Sequence, residues 1–267
     1  MNYEPAPNPV PPRQMALPVA PTAYVTPLLV ALNVFIFLLE TLAGGSHDPC
    51  VLIRFGAKFN ALIQEGQYWR LVTPIFLHVG LFHLLFNQYA LWILGRDVER
   101  LFGSARFVIL YLLAGVWGNV ASMLFVEAIS AGASGAIFGL VGAQLAFLWV
   151  NRERLGELGR QQSLNLLVII GLNLTFGMAV PGIDNWNHMG GLVAGLLLGV
   201  ILAPRYAVAF FPPAHLTVVD ATPLHRRLWF VAGVAALTVA LVPALAGLAP
   251  TGPDDALLLR LCARRLG

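Results

Sequence analysis

From residue 24 onward, the chain alternates between long apolar runs and short polar segments. A helix needs roughly 20 residues, at a rise of about 1.5 Å per residue, to cross a hydrocarbon core of about 30 Å. Apolar runs of about this length occupy residues 24–42, 72–95, 106–126, 134–150, 163–180, 187–203 and 228–248. The pattern predicts an all-α integral membrane protein with a six-helix bundle and a seventh, C-terminal transmembrane helix.

The polar segments divide the chain into regions. Residues 1–23 are rich in proline and almost free of charge, which is typical of a flexible tail without a fold of its own. We expect the first six spans to form one core, residues 24–203. A polar loop, 204–227, then leads to the seventh helix, 228–248, and a C-terminal tail, 249–267. Before the second span, the first loop is too long for a simple connection and is expected to carry short interfacial helices.

Composition supports a membrane protein. Hydrophobic residues make up 58% of the 267 residues and charged residues only 11%, whereas soluble domains carry about 25% charged residues. The net charge of +3 is small, and the basic residues are spread through short loops without forming a patch. Nucleic acid is therefore not an expected partner, and the lipid bilayer is.

The distribution of arginine predicts the orientation in the membrane. Arginines occupy the segments between spans two and three, four and five, and six and seven: Arg96, Arg100, Arg106, Arg152, Arg154, Arg160, Arg205, Arg226 and Arg227. Two of the opposite loops, 127–133 and 181–186, contain no basic residue, although the first loop and the C-terminal tail do. The positive-inside rule then places the N-terminus in the cytoplasm and the C-terminus outside. Because residues 1–23 lack the regions of a signal peptide and the loops are compact, we expect a cell (plasma) membrane.

Two polar side chains lie at the outer ends of apolar runs. Ser134 begins span four, and His188 lies near the outer end of span six. Each is followed by a stripe of glycines on one helix face, Gly135 and Gly139 in span four and Gly191 and Gly195 in span six, and such stripes let two helix backbones approach closely. If the two stripes pack together, the serine and the histidine come within reach of each other.

This pair suggests nucleophilic catalysis. A serine hydroxyl attacks effectively only when a base takes its proton, and imidazole is the usual base. The reaction also needs donors for the developing oxyanion. His83 and Asn87, spaced i and i+4 on the outer half of span two, and the backbone N–H of Ser134 are candidates. Since Asp184 is expected to cap span six, we predict a dyad without a third, acidic member.

Other readings of these residues stay open at this point. Ser134 could be a helix cap, and His83 and Asn87 could be hydrogen-bonding residues between helices. His78 and His83 do not share a helix face, so we expect no metal site and no cofactor. Cys50 and Cys262 would both lie outside if seven spans exist, and the sequence does not decide whether they pair.

The motifs together resemble the rhomboid family of intramembrane serine proteases. The family's GxSG motif appears as Gly132-Ala133-Ser134-Gly135, its histidine in a glycine-rich sixth helix as His188, and its HxxxN motif as His83 and Asn87. Further matches are the Trp-Arg pair of the first loop and an ExxxGxxxF pattern after span two, formed by Trp69, Arg70, Glu99, Gly103 and Phe107. Asn187 departs from the alanine that many relatives have before the histidine.

The resemblance implies a serine endopeptidase that cleaves single-span transmembrane proteins within or near the membrane. Ser134 would be the nucleophile, His188 the general base and acid, and Trp69, Arg70, Glu99 and Gly103 structural residues of loops and turns. The alternative is a catalytically silent relative that binds membrane clients. A transporter or channel is disfavoured, because it predicts charged residues inside several spans.

Overall fold

The computed structural model describes residues 22–211 and 215–266. Most of the predicted proline-rich tail, up to residue 21, lies outside the described residues. The helices are α1 (Val25–Leu42), α2 (Pro49–Phe55), α3 (Asn60–Gln64), α4 (Leu81–Ala90), α5 (Arg96–Phe102), α6 (Ser104–Phe125), α7 (Ser134–Val150), α8 (Arg152–Ala179), α9 (Asn185–Leu202), α10 (Leu228–Ala246) and α11 (Asp255–Leu266).

Five of these helices, α1, α6, α8, α9 and α10, are long and apolar enough to cross a membrane, and α7 is a shorter apolar helix of 17 residues. Helices α6, α7 and α9 form the centre of the bundle and contribute most of the residues of its largest cluster of buried hydrophobic side chains. Exposed leucine, valine and phenylalanine side chains cover the outer faces of α1, α8 and α10, as expected for surfaces in contact with lipid. The predicted all-α membrane fold is confirmed.

The second span begins later than the hydrophobic pattern indicated. Residues 68–76 form two short 3₁₀ turns, and α4 begins only at Leu81, whereas the apolar run begins at 72. Pro74 lacks a backbone N–H, and Gly80 has φ +79°, a left-handed conformation that ends one segment before the next helix starts. From α4 the chain continues through a π-helical turn, Leu91–Gly95, directly into α5. Hydrophobicity alone does not distinguish these apolar 3₁₀ turns from a continuous helix.

A two-stranded antiparallel hairpin lies within residues 204–227, the segment that the sequence predicts as a polar loop. Its strands are β1 (Tyr206–Phe211) and β2 (His215–Asp220). The hairpin is joined to the bundle by the Tyr206 hydroxyl, which donates to the Leu101 carbonyl at 3.0 Å, and by an ion pair of 2.7 Å between Arg106 and Asp220. These contacts fix the connection between α9 and α10 against the α5–α6 turn.

The C-terminal segment packs on the first loop. A disulfide joins Cys50 of α2 to Cys262 of α11, with the two Cα atoms 5.1 Å apart. Arg265 forms an ion pair of 2.6 Å with Asp48, and Asn60 donates to the Pro250 carbonyl at 2.6 Å. The pairing that the sequence left open is therefore present, and it ties the chain end after α10 to the segment between α1 and α4.

Glu99 connects α5 to the beginning of α1. Its carboxylate, which is fully buried, accepts hydrogen bonds from the backbone N–H groups of Tyr24, Val25 and Thr26 at 2.8–3.1 Å. The hydroxyls of Thr26 and Ser104 donate to it as well, both at 2.7 Å. The first N–H groups of a helix have no partner within that helix, so Glu99 caps α1 from a distant part of the sequence.

We expect Glu99→Gln to destabilise the protein by about 2–3 kcal/mol at neutral pH, because hydrogen bonds to a charged acceptor are the stronger ones. Burial by itself would raise the pKa of Glu99, but the hydrogen bonds from Ser104, Val25 and Thr26 outweigh burial and hold this pKa below its ordinary value of 4.5. A lowered pKa contributes stability that is present above the unfolded value and disappears as the pH falls through the folded value. The difference in unfolding midpoint between wild type and variant should therefore be full at pH 7 and shrink below about pH 4.5.

Glu157→Gln is the matched control for this experiment. Glu157 and Arg160 form an exposed pair on α8, and such pairs contribute little to stability because solvent screens them. Equal stability losses in the two variants, or a Glu99 effect that does not change with acidification, would contradict the capping role.

Candidate active site

The loop before Ser134 is held in place by the first loop of the chain. Lys58 and Ser130 exchange backbone hydrogen bonds of 2.9 and 3.1 Å, and the Gly132 N–H donates to the Pro74 carbonyl at 2.9 Å. Ser134 then starts α7, half-buried, at the N-terminal end of that helix. Ser134 therefore lies at the positive end of the α7 dipole, where the first N–H groups of a helix have no partner within that helix.

Lys58 itself is fully buried beside this loop. Its Nζ donates to the Val126 carbonyl at 2.6 Å, and burial lowers the pKa of Lys58 to about 8, with Asp184 and Asp255 acting in the opposite direction. The lysine thus fastens the first loop to the C-terminal end of α6.

Gly132 brings the His83 imidazole next to Ser134. With φ +146°, Gly132 adopts a conformation that other residues rarely adopt, and a Cβ there would lie 2.7–2.8 Å from Cε1 and Nε2 of His83. The same position is 3.7 Å from Ser134 Oγ. Glycine is required here for both reasons, and the Nε2 edge of His83 faces the same small space as the serine hydroxyl.

Helices α7 and α9 run parallel and in direct backbone contact. A Cβ on Gly191 would overlap the Gly135 carbonyl, and one on Gly195 would overlap the Gly139 carbonyl. The two predicted glycine stripes therefore face each other. Because Gly135 pairs with Gly191, Ser134 and His188 both lie at the N-terminal ends of these two helices.

His188 is nearly buried, with 8% of its surface exposed, and its ring stacks on Phe138 of α7 at a centroid distance of 4.4 Å and an angle of 8°. Its Nδ1 atom has no hydrogen-bond partner among the described residues. Among the residues that the structure describes, no hydrogen bond joins the His188 ring to Ser134. Catalytic hydrogen bonds often tighten only when substrate is bound.

Asn87 lies one turn after His83 on α4, and its side chain is buried. The amide donates to the His83 carbonyl at 2.9 Å. An asparagine amide carries two N–H groups, so one more donor is available on this side chain. The structure thus places the His83 ring beside Gly132, in the loop before Ser134, and the Asn87 side chain against the His83 backbone.

The Trp69–Arg70 pair braces the first loop. The guanidinium of Arg70 is nearly buried and donates to the Ile53 carbonyl at 2.7 Å and to Gln67 at 2.8 Å, while it stacks over the Trp69 ring at 4.5 Å. Gly103, with φ +80°, forms the turn between α5 and α6. This turn brings Ser104 next to Glu99, to which its hydroxyl donates.

Sequence reasoning missed Asn119 and Phe138. Asn119 is an isolated amide in an apolar run, a signal that could have marked it as buried and hydrogen-bonded. Phe138 is one aromatic residue among many apolar ones, and nothing in the sequence distinguishes it. Asn187 was noticed only as a departure from relatives.

A comparison with protein families matches residues 65–205 to the rhomboid domain. This chain belongs to the rhomboid family. The matched region includes every candidate site residue from Trp69 to His188, and the predicted resemblance is confirmed. The rhomboid is accordingly a multi-pass membrane protein.

Individual relatives agree. The chain is 48% identical over 186 residues to rhomboid protease GluP of Bacillus subtilis, covering 69% of this chain and 36% of that protein. It is 36% identical over 219 residues to RHOMBOID-like protein 6, mitochondrial, of Arabidopsis thaliana, covering 68% and 69%. With Rhomboid-like protease 1 of Toxoplasma gondii it shares 31% over 182 residues, covering 65% and 62%. The rhomboid thus spans between 36% and 69% of the length of these relatives.

Proposed function

We propose that this rhomboid is an intramembrane serine endopeptidase with Ser134 and His188 as its catalytic dyad. The observation that carries the proposal is the parallel, glycine-to-glycine contact of α7 and α9, which brings the two residues to neighbouring helix ends. The match to relatives named as proteases supports the same reaction class.

In the proposed reaction, each of these groups has a defined role. His188 takes the proton of the Ser134 hydroxyl while Oγ attacks the carbonyl carbon of a substrate peptide bond. The carbonyl π electrons move to oxygen, and this oxyanion is held by the Ser134 N–H, His83 and Asn87. His188 then protonates the leaving amine as the C–N bond breaks. Water, deprotonated by His188, releases the acyl group and restores the serine.

Asn87→Ala should reduce kcat by about 10²–10³-fold, because an oxyanion donor acts on the transition state and not on substrate binding. The measurement is cleavage of a single-span reporter protein in proteoliposomes. Asn173→Ala is the matched control, since Asn173 on α8 makes the same hydrogen bond within its own helix, to the Ile169 carbonyl at 2.8 Å, but faces outward. If Asn87→Ala lowers kcat by less than about threefold, Asn87 is not a donor to the oxyanion.

We further propose that the substrates are single-span transmembrane proteins, that the rhomboid resides in a cell membrane with its N-terminus in the cytoplasm, and that the site opens to the outside. The disulfide between Cys50 and Cys262 supports this orientation, because disulfides persist in oxidising compartments outside the cytoplasm. It also supports a C-terminus on the same side as the first loop, as a seventh span requires.

The reporter experiment separates this proposal from its alternative. Cleavage by wild type and none by Ser134→Ala supports the protease. Co-purification of the intact reporter with wild type, without cleavage, would favour a catalytically silent rhomboid that binds membrane clients.

A further inference from the structure

Two buried asparagines connect the first loop to the helix that carries His188. Asn119 of α6 and Asn187 of α9 are 1% and 4% exposed, respectively. The Asn119 Nδ2 donates to the Leu71 carbonyl at 2.9 Å, and the Asn187 Nδ2 donates to the Asn119 Oδ1 at 2.7 Å. The result is a continuous chain of hydrogen bonds from Leu71 through α6 to the residue directly before the histidine.

The order of donors and acceptors in this chain is determined. A carbonyl can only accept, so the Asn119 side must present its NH₂ group to Leu71 and its oxygen to Asn187. The oxygen then needs a donor, which fixes the Asn187 NH₂ group towards Asn119. The two NH₂ groups thus hold both amides in one orientation, because losing either bond would leave a buried donor unpaired, while the Asn187 Oδ1 accepts no hydrogen bond among the described residues.

Leu71, at the start of this hydrogen-bond chain, is itself held in place. Leu71 is buried and directly follows Arg70, whose guanidinium is bonded to the Ile53 carbonyl. The first loop therefore presents the Leu71 carbonyl at a defined position, and the two amides carry that position across α6.

Asn187, at the far end of the hydrogen-bond chain, is confined between helices. A Cβ on Gly135 would overlap the Asn187 Oδ1, and a Cβ on Gly118 would lie 2.8 Å from the Asn187 carbonyl oxygen. A second connection lies one turn earlier, where Ser122 donates to Asp184 and Asp184 accepts the Asn187 N–H at 2.9 Å. The first turn of α9 is thus fixed to α6 on one side and to the residue after Ser134 on the other.

His188 needs such support. Its Nδ1 has no hydrogen-bonding partner among the described residues, so no acidic side chain there orients the ring as in a triad. The orientation of the imidazole depends on where the first turn of α9 lies and on the stacking of the ring on Phe138.

We propose that Asn119 and Asn187 are positioning residues for the catalytic base: the amide chain from Leu71 holds α9 in the register that aligns His188 with Ser134. This inference rests on the proposed function. It assigns a role to two buried asparagines that take no part in the proposed reaction itself.

The test uses Asn119→Ala, Asn187→Ala and the double variant of the full-length protein in proteoliposomes, with Asn173→Ala as the control. Each is titrated with a fluorophosphonate probe, which gives both the fraction of protein that can be labelled and the rate constant of labelling. Cleavage of the single-span reporter gives kcat per labelled site and KM.

Positioning predicts that each single variant labels to the wild-type fraction but with a rate constant and kcat lowered about tenfold, the rate equivalent of one interhelical hydrogen bond, and with KM unchanged. The double variant should be no slower than either single variant, because the chain is already broken. A purely structural role predicts a smaller labelled fraction with an unchanged rate constant per site.

The positioning role would be overturned, with the proposed function intact, by either of two results. One is rate constants of labelling within twofold of wild type, and the other is a double variant whose loss is the product of the two single losses. A well-folded wild type that does not label would overturn the proposed function and this inference with it. Comparison of wild type with Ser134→Ala is therefore read first.

Discussion

Replacing Ser134 with alanine is expected to abolish cleavage of a single-span reporter while leaving the fold intact. The substitution removes only the hydroxyl group of a half-buried side chain at a helix terminus, and no side chain there makes a capping hydrogen bond that would be lost. His188→Ala should have nearly the same effect on rate, because members of a catalytic unit act together and their losses are not additive. The measurement is reporter cleavage in proteoliposomes, with the unfolding midpoint of each variant recorded alongside.

Cleavage that survives in Ser134→Ala at more than a trace level would exclude this serine as the nucleophile. Loss of activity together with a large drop in the unfolding midpoint would instead indicate that the substitution acts through folding.

Gly195→Ala should be among the most damaging single-methyl changes in the core. A Cβ at Gly195 would overlap the Gly139 carbonyl, a backbone atom that cannot move without its helix. Helix α9 must then shift away from α7, at a cost of about 3 kcal/mol. Since a displacement of about 1 Å can cost roughly 10²-fold in rate, we also expect the folded fraction to lose most of its activity.

Gly171→Ala provides the matched control, because Gly171 lies within α8 and a Cβ there would have no neighbour within 4 Å. This variant should be as stable as wild type or more stable by about 0.5–1 kcal/mol, since alanine favours helix. Similar unfolding midpoints for the two variants would show that the α7–α9 contact tolerates separation, which would undermine the alignment of Ser134 and His188.

The parts of this structure that the sequence could predict are those with a local pattern. Apolar runs marked the spanning helices, and the GxxxG spacing marked the faces of α7 and α9 that now meet. Ser134 and His188 stood out because each is a polar residue at the same relative depth of an apolar run. Chemistry, spacing and depth sufficed to associate them.

Contacts between distant segments were beyond such reasoning. Glu99 looked like one charge in a short turn, although it caps a helix 73–75 residues earlier in the chain. The Cys50–Cys262 bridge spans 212 residues, and neither cysteine carries a local signal of its partner. The hydrogen bonds through Asn119 depend on where the Leu71 carbonyl lies relative to α6. That position is set by the 3₁₀ turns of residues 68–76, most of which the hydrophobic pattern assigned to a continuous helix.

In the proposed reaction, Ser134 is a nucleophile activated by His188. The most direct test of this role is reaction of purified wild type, Ser134→Ala and His188→Ala with a fluorophosphonate probe in detergent, followed by mass spectrometry of the labelled peptide. We expect labelling of wild type at Ser134 alone and none of either variant. Labelling at another residue, or none of a well-folded wild type, would contradict it.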